Sequence, residues 1–309
     1  MTSLPLTPPI IVNHMGAFEK HYPPNSLEAI KSCLEANAQF IEVDITALAE
    51  DDYLLVHDAE LPSETTGNGL VSETSPLQTR ELWLKSPTTG QPTAFHPALL
   101  SSVVALFEEM GMATRLQLDF KNVIPFLDDE PLRRLVNLIK PLGDRVIVST
   151  GAEWQLRRLQ KLASWLDLGF DVHFYVDWRS PDEVIDPRVP PYTKGAYGYW
   201  DNHPLAMQRF WPTAEYLAER CANLINLLPN ISTFYISHTL LAQSLDDGFN
   251  WADPLHAAGI KLDAWTLDAD NPIALANAYR LLAAGVDQFT TNTPREMAQL
   301  LQTARESSK

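Results

Sequence analysis

Only two cysteines, Cys33 and Cys221, occur in 309 residues. Neither belongs to a Cys-x-x-Cys pair or a zinc-ligand spacing, so a disulfide framework is excluded and both thiols read as structural. Positive charge is also scarce: 23 Lys and Arg face 39 Asp and Glu, for a formal net charge of -16. Binding to nucleic acid or to an anionic membrane draws on clustered Lys and Arg, and this balance argues against both. Basic residues are missing from the opening Met1-Thr2-Ser3-Leu4-Pro5 as well. No apolar run reaches the roughly 18 residues that span a bilayer. The expectation is a soluble, cytoplasmic protein with no nucleic-acid partner and no stable membrane insertion. No internal repeat or low-complexity tract interrupts the chain.

What is present supports one large core. The hydrophobic content is 45%, and a (β/α)8 barrel typically takes roughly 250 residues, so residues 1–309 read as a single domain. Short β-rich runs end near His14, Asp44, Lys121, Thr150, Tyr175, Ser237, Thr266 and Thr291. Between them lie stretches with apolar residues at helical spacing: Ser26 to Ala36, Pro131 to Lys140, Trp154 to Trp165, Ala214 to Leu228 and Pro272 to Ala284. Such alternation predicts a parallel sheet closed into an α/β barrel, whose active site lies at the C-terminal strand ends. Two regions break the plan. Leu61 to Pro97, rich in Ser, Thr, Gly and Pro, reads as an irregular excursion. Asp177 to Pro212, with Tyr192, Tyr197, Tyr199, Trp200, Phe210 and Trp211, reads as a long loop packed by its own aromatics or as an apolar wall for a lipid-like substrate.

Charge inside apolar runs marks the chemistry. In Phe40-Ile41-Glu42-Val43-Asp44-Ile45, alternation puts Glu42 and Asp44 on one strand face, and Leu116-Gln117-Leu118-Asp119-Phe120-Lys121 repeats the arrangement with Asp119 and Lys121. Buried carboxylates are costly unless a cation or hydrogen bonds compensate them, so Glu42, Asp44 and Asp119 point to a hard, oxygen-bound metal ion. His57 closes Tyr53-Leu54-Leu55-Val56 after the acidic turn Glu50-Asp51-Asp52. A reversal between Glu50 and Asp51 makes Asp44 and His57 cross-strand neighbours, and His14 ends the adjoining first strand. Two imidazoles then flank the cation, suited to acid and base work on a phosphoryl group, with Lys121 as a second positive charge. Asp268 reads as a site acceptor or as a helix N-cap. His21, His96, His173, His203, His238 and His256 read as structural.

These residues resemble the glycerophosphodiester phosphodiesterases along most of the chain. The family's His-Arg-Gly and Pro-Glu-Asn-Thr appear as His14-Met15-Gly16 and Pro23-Pro24-Asn25-Ser26. Its Ile-Glu-x-Asp and His-Asp appear as Ile41-Glu42-Val43-Asp44 and His57-Asp58, and its Glu-x-Lys as Asp119-Phe120-Lys121. Its Trp-Thr-x-Asn and closing motif appear as Trp265-Thr266-Leu267-Asp268 and Gly285-Val286-Asp287 with Thr291-Asn292-Thr293-Pro294. The resemblance implies a barrel of the phospholipase C-like phosphodiesterase type. It implies His14 and His57 as catalytic, Glu42, Asp44 and Asp119 as ligands of one Mg²⁺ or Ca²⁺, and Lys121 and Trp265 as substrate contacts. Met15 replaces an arginine, Pro24 an acidic residue, and Asp119 is one methylene shorter than the usual Glu.

The expected reaction is metal-dependent hydrolysis of a small glycerophosphodiester to glycerol 3-phosphate and an alcohol. His14 acts as nucleophile or base and His57 as acid. His-Met and Asp-x-Lys also look like the sphingomyelinase D or phospholipase D toxins of venoms. That likeness implies instead cleavage of a lysophospholipid or sphingomyelin with a cyclic phosphate product. A non-catalytic phosphate- or lipid-binding barrel is the third reading.

Overall fold

Alternation along the strands decides what the sheet presents to each side. Ile41, Val43 and Ile45 pack outward with Ile30, Cys33 and Leu34 of the first helix, while Glu42 and Asp44 take the opposite, inner face. The computed structural model describes residues 8–18, 21–110, 113–179 and 189–306. Among these, the strands are β1 (Ile10–Asn13), β2 (Phe40–Ala47), β3 (Tyr53–Leu54), β4 (Arg115–Phe120) and β5 (Val146–Thr150). They continue with β6 (Asp167–Asp171), β7 (Thr233–Ser237), β8 (Lys261–Trp265) and β9 (Gln288–Thr291). All but β3 run parallel, and β1 pairs with both β9 and β2, which closes an eight-stranded barrel with helices between strands. No helix of the described residues is long and apolar enough to cross a membrane.

Local chemistry sets the helix limits. Ser26 caps Leu27–Glu35 by accepting from the Ala29 N–H, and Asn271 caps Pro272–Ala284 by accepting from Ile273 and Ala274. Pro272 at the first turn and Gly285 in the left-handed region (φ 93°) complete that helix. Inside the barrel, a Cβ on Gly169 would lie 2.3 Å from the Tyr235 ring, so only glycine leaves that ring its place. The β6 strand stops at Asp171, short of Tyr175. Asp171 accepts from the His173 N–H, 3.0 Å away, and turns the chain into a short 3-10 segment, Val172–Phe174.

Asp263 is fully buried in β8, and Thr290 Oγ1 donates to it at 3.0 Å. Burial pushes its carboxyl well above the ordinary range. The folded protein therefore keeps a proton there that the unfolded chain releases, and stability falls as pH rises between the unfolded and folded values. Asp263→Asn retains an acceptor for Thr290 and is expected to be more stable than the parent at neutral pH, by a margin that grows with pH. Urea denaturation at a series of pH values measures this, and a pH-independent difference would count against it.

The two excursions differ in how they pack. Leu61 to Pro97 holds only short turns, and a small apolar group of Leu48, Leu54, Val56, Leu61 and Val71 ties it to the β2–β3 hairpin. In Asp177 to Pro212, residues 180–188 lie outside the described residues. Tyr197 stacks on Tyr216 of the helix Thr213–Leu227 at 4.1 Å, and Trp178 packs edge-on against Tyr199. Tyr192 and Phe210 remain exposed. Asp201, buried here, accepts from Arg220 Nε at 2.5 Å and from the Tyr216 hydroxyl at 2.7 Å.

Candidate active site

The parallel register brings three carboxylates to one place. Asp44 of β2 lies level with Asp119 of β4, Asp119 is level with Ser149 of β5, and Glu42 sits one inward position below Asp44. Oxygens of Glu42, Asp44 and Asp119 lie within 4.8 Å of one another. Each carboxylate is held separately. Asn25 Nδ2 donates to Asp44 Oδ2 at 2.9 Å, while the Asp44 N–H donates to Asn25 Oδ1 at 3.1 Å. Asn25 does this from the left-handed region (φ 59°), which asparagine tolerates. The Met15 N–H donates to Glu42 Oε2 at 2.8 Å. That contact is made by backbone, so it does not require the arginine that Met15 replaces. Ser149 Oγ donates to Asp119 Oδ1 at 3.3 Å and accepts from Gln117 Nε2.

Lys121 Nζ bridges two of the three, 2.9 Å from Asp44 Oδ1 and 2.5 Å from Asp119 Oδ2. Burial opposes its charge, but Asp119 and Asp44 outweigh burial and raise the Lys121 pKa well above the ordinary value. For Asp44 burial raises the pKa, yet Lys121, His57, His14 and the Asn25 hydrogen bond bring the net shift down. Glu42 moves the other way: burial, then Asp44 and Asp119, push its carboxyl well above the usual range. Three acidic groups against one ammonium leave an excess of acid, with Glu42 and Asp44 buried and the Asp119 side chain 23% exposed. An all-oxygen donor set carrying that excess suits a hard divalent cation.

His14 and His57 arrive by different routes. His14 follows β1, its Nδ1 lies 2.8 Å from Asn292 Oδ1, and its Nε2 lies 3.8 Å from Glu42 Oε2. Asn292 is fixed in turn: its Nδ2 donates to Asp268 Oδ2 at 3.0 Å and its N–H to Asp268 Oδ1 at 2.7 Å. Asp268 is thus a site acceptor, and Asn271 takes the capping role. With Asn292 Oδ1 as acceptor, His14 Nδ1 carries the hydrogen and Nε2 presents its lone pair.

His57 does not reach the site through the expected hairpin register. β3 pairs as Thr46 with Leu54 and Ala47 with Tyr53, a reversal about Glu50 rather than between Glu50 and Asp51. Leu55 then donates its N–H to Ala98 instead of to β2, so Asp44 and His57 are not cross-strand neighbours. Glu64 sets the turn, Oε1 accepting from the N–H groups of His57 and Asp58 at 2.7 and 2.8 Å. His57 Nδ1 lies 3.0 Å from Asp58 Oδ1, and the ring is half exposed.

Trp265 ends β8, and its Nε1–H is buried with no hydrogen-bond partner. Leaving such a donor unpaired costs about 1–3 kcal/mol, which a ligand oxygen would remove. The indole lines a cavity of about 160 Å³ with Asp177, Trp178, Ser237, His238 and Thr266. A larger depression of about 460 Å³, along Ala269, Glu296 and Leu300, contains none of these site side chains. Asn25, Asn292 and Ser149 are the positioning groups that sequence reading passes over. The first two sit inside motifs quoted for other members, and Ser149 is signalled only by its register with Asp119.

The glycerophosphoryl diester phosphodiesterase family model matches residues 14–296. A glycerophosphodiester phosphodiesterase of Caldanaerobacter subterraneus is 23% identical over 163 residues, 52% of this chain and 65% of that protein's length. Among solved structures, a glycerophosphoryl diester phosphodiesterase from Parabacteroides distasonis superposes with a TM-score of 0.60 at 18% identity, covering 98% of this chain and 88% of its own. An Oleispira antarctica phosphodiesterase, solved with the product sn-glycerol-3-phosphate, gives 0.62 at 18% identity, covering 96% and 97%.

Proposed function

Since the chain belongs to the glycerophosphoryl diester phosphodiesterase family, a family of phosphoric diester hydrolases, we propose that it is a single-domain, cytoplasmic, metal-dependent enzyme that hydrolyses a glycerophosphodiester to glycerol 3-phosphate and an alcohol. The observation that carries this reading is the convergence of Glu42, Asp44 and Asp119 within 4.8 Å of one another beside His14.

Glu42, Asp44 and Asp119 would hold one divalent ion, Mg²⁺ or Ca²⁺, which would supply charge neutralisation at the phosphoryl oxygens. Lys121 adds a fixed ammonium next to the same oxygens and favours the ionised form of Asp44. His14, with Nδ1 committed to Asn292, offers Nε2 as the nucleophile toward phosphorus or as the base for the attacking hydroxyl. His57, with Nδ1 on Asp58, delivers a proton from Nε2 to the leaving alcohol. Trp265 gives its unpaired indole N–H and a flat apolar face to the glycerol moiety.

Phosphorus NMR of glycerophosphocholine and lysophosphatidylcholine, with Mg²⁺, with Ca²⁺ and with EDTA, tests the reading. Glycerol 3-phosphate formed only with metal is the expected result. One observation favours a lipid substrate: Ile124 and Leu127, a few residues beyond Lys121, stand 80% and 108% exposed. A cyclic phosphate or lysophosphatidate signal would replace the first reading with the phospholipase D-like one. Unchanged spectra for both substrates in both metals would count against either.

A further inference from the structure

Six histidines lie outside the matched motifs, and two of them, His173 and His238, stand at the C-terminal strand ends in different environments. His238 takes a hydrogen bond from Asn277, and burial lowers its pKa. His256 pairs with Asp287 at the opposite end of the barrel, where β9 begins. His173 follows β6 at the C-terminal strand ends, where Asp171 holds its backbone and sets a counter-charge beside its ring: the N–H donates to Oδ1, and Nδ1 lies 2.8 Å from the same oxygen. Its ring meets the Trp265 indole edge to face at 5.9 Å, so it leans across the mouth toward the wall that the substrate is expected to touch. The side chain keeps 28% exposure while Nδ1 is buried beside Asp171 without a formed hydrogen bond, so the nitrogen left to meet a ligand is Nε2.

Resting on the reading that this mouth accepts a phosphodiester, we propose that His173 is a substrate-binding residue, a third imidazole that donates from Nε2 to an anionic oxygen of the phosphate ester across the mouth from the carboxylate triad.

Charge supports the role. Burial disfavours the imidazolium, but Asp171 and Asp177 outweigh burial and the nearby Lys121, so the net pKa is raised. The positive charge is therefore present below that raised value and is lost as pH rises through it. Lys121 is already committed to Asp44 and Asp119, which leaves His173 as a cation whose counter-ion does not belong to the triad.

The test uses the full chain and two ligands, glycerol 3-phosphate and inorganic phosphate. The His173 C2–H proton resonance is identified by its loss in His173→Gln and titrated with pH, with and without ligand. A pKa above the ordinary imidazole value that rises further with ligand is expected. By calorimetry, His173→Gln should bind glycerol 3-phosphate about 10- to 100-fold more weakly, the range for one hydrogen bond to a charged group. With a hydrolysed diester, KM should rise and kcat change little. Asp171→Asn keeps the ring but removes its counter-charge. Its affinity, referenced to His173→Gln to cancel the ligand's own titration, should fall away at lower pH than the parent's. Parent-like affinity in His173→Gln, or a resonance indifferent to ligand, overturns the inference. Turnover in the parent with parent-like KM in His173→Gln sinks the inference and leaves the proposed function standing. A ligand-responsive His173 in a protein that cleaves no diester does the reverse.

Discussion

His14→Gln is expected to lower kcat about 10²- to 10⁴-fold, the range that a positioned acid or base contributes. Glutamine retains an N–H for Asn292 but cannot take a proton at neutral pH, so the geometry survives while the chemistry is removed. The ring is partly exposed and belongs to no apolar cluster, so thermal unfolding should shift little. Asn292→Ala provides the graded comparison: the imidazole remains, but neither its tautomer nor its orientation is held by Asp268. Its loss should be smaller than that of His14→Gln and should appear in kcat more than in KM. Full turnover of the true substrate by His14→Gln would remove His14 from the mechanism.

Arg220→Leu is expected to cost about 3–5 kcal/mol of stability, because it leaves Asp201 charged and buried without its counter-ion. Both side chains are almost fully enclosed, at 4% and 1% exposure. The remaining partners, the Tyr216 hydroxyl and the His203 N–H, donate hydrogen bonds but no charge. Replacing both members with leucine should recover much of the loss, since a well-packed apolar pair often equals a buried ion pair. Urea denaturation of the single and double variants measures this. A loss below about 1 kcal/mol would assign the pair the small value typical of exposed salt bridges.

The features most legible in sequence are those with a strict period. Alternation in Phe40-Ile41-Glu42-Val43-Asp44 reveals the inward carboxylates, and the helix limits fall within a few residues because Ser26, Asn271 and Gly285 are chemical stops. Turn geometry is less legible. Asp52 accepts from Tyr53 N–H and Ser101 Oγ, a contact made 49 residues away, and the hairpin pairs one residue out of its apparent register. Similarly, the apparent strand up to Tyr175 gives way at Asp171, because its carboxylate captures the backbone of His173. Asn292 and His14 are 278 residues apart, so nothing local to either indicates that one orients the other. His173 carries no motif and is distinguished only by Asp171 and Trp265, which meet it after the barrel closes.

The span between His14 and Asn292 also gives the seam between β1 and β9 a temporal meaning. A chain emerging from synthesis completes Glu42, Asp44, His57, Asp119 and Lys121 well before its last strand exists. Until Asn292 is in place, the imidazole of His14 lacks its Nδ1 partner. The hydrogen bond that orients His14 is therefore supplied last in chain order, by the residue that follows β9 rather than by the segment that carries most of the candidate site groups.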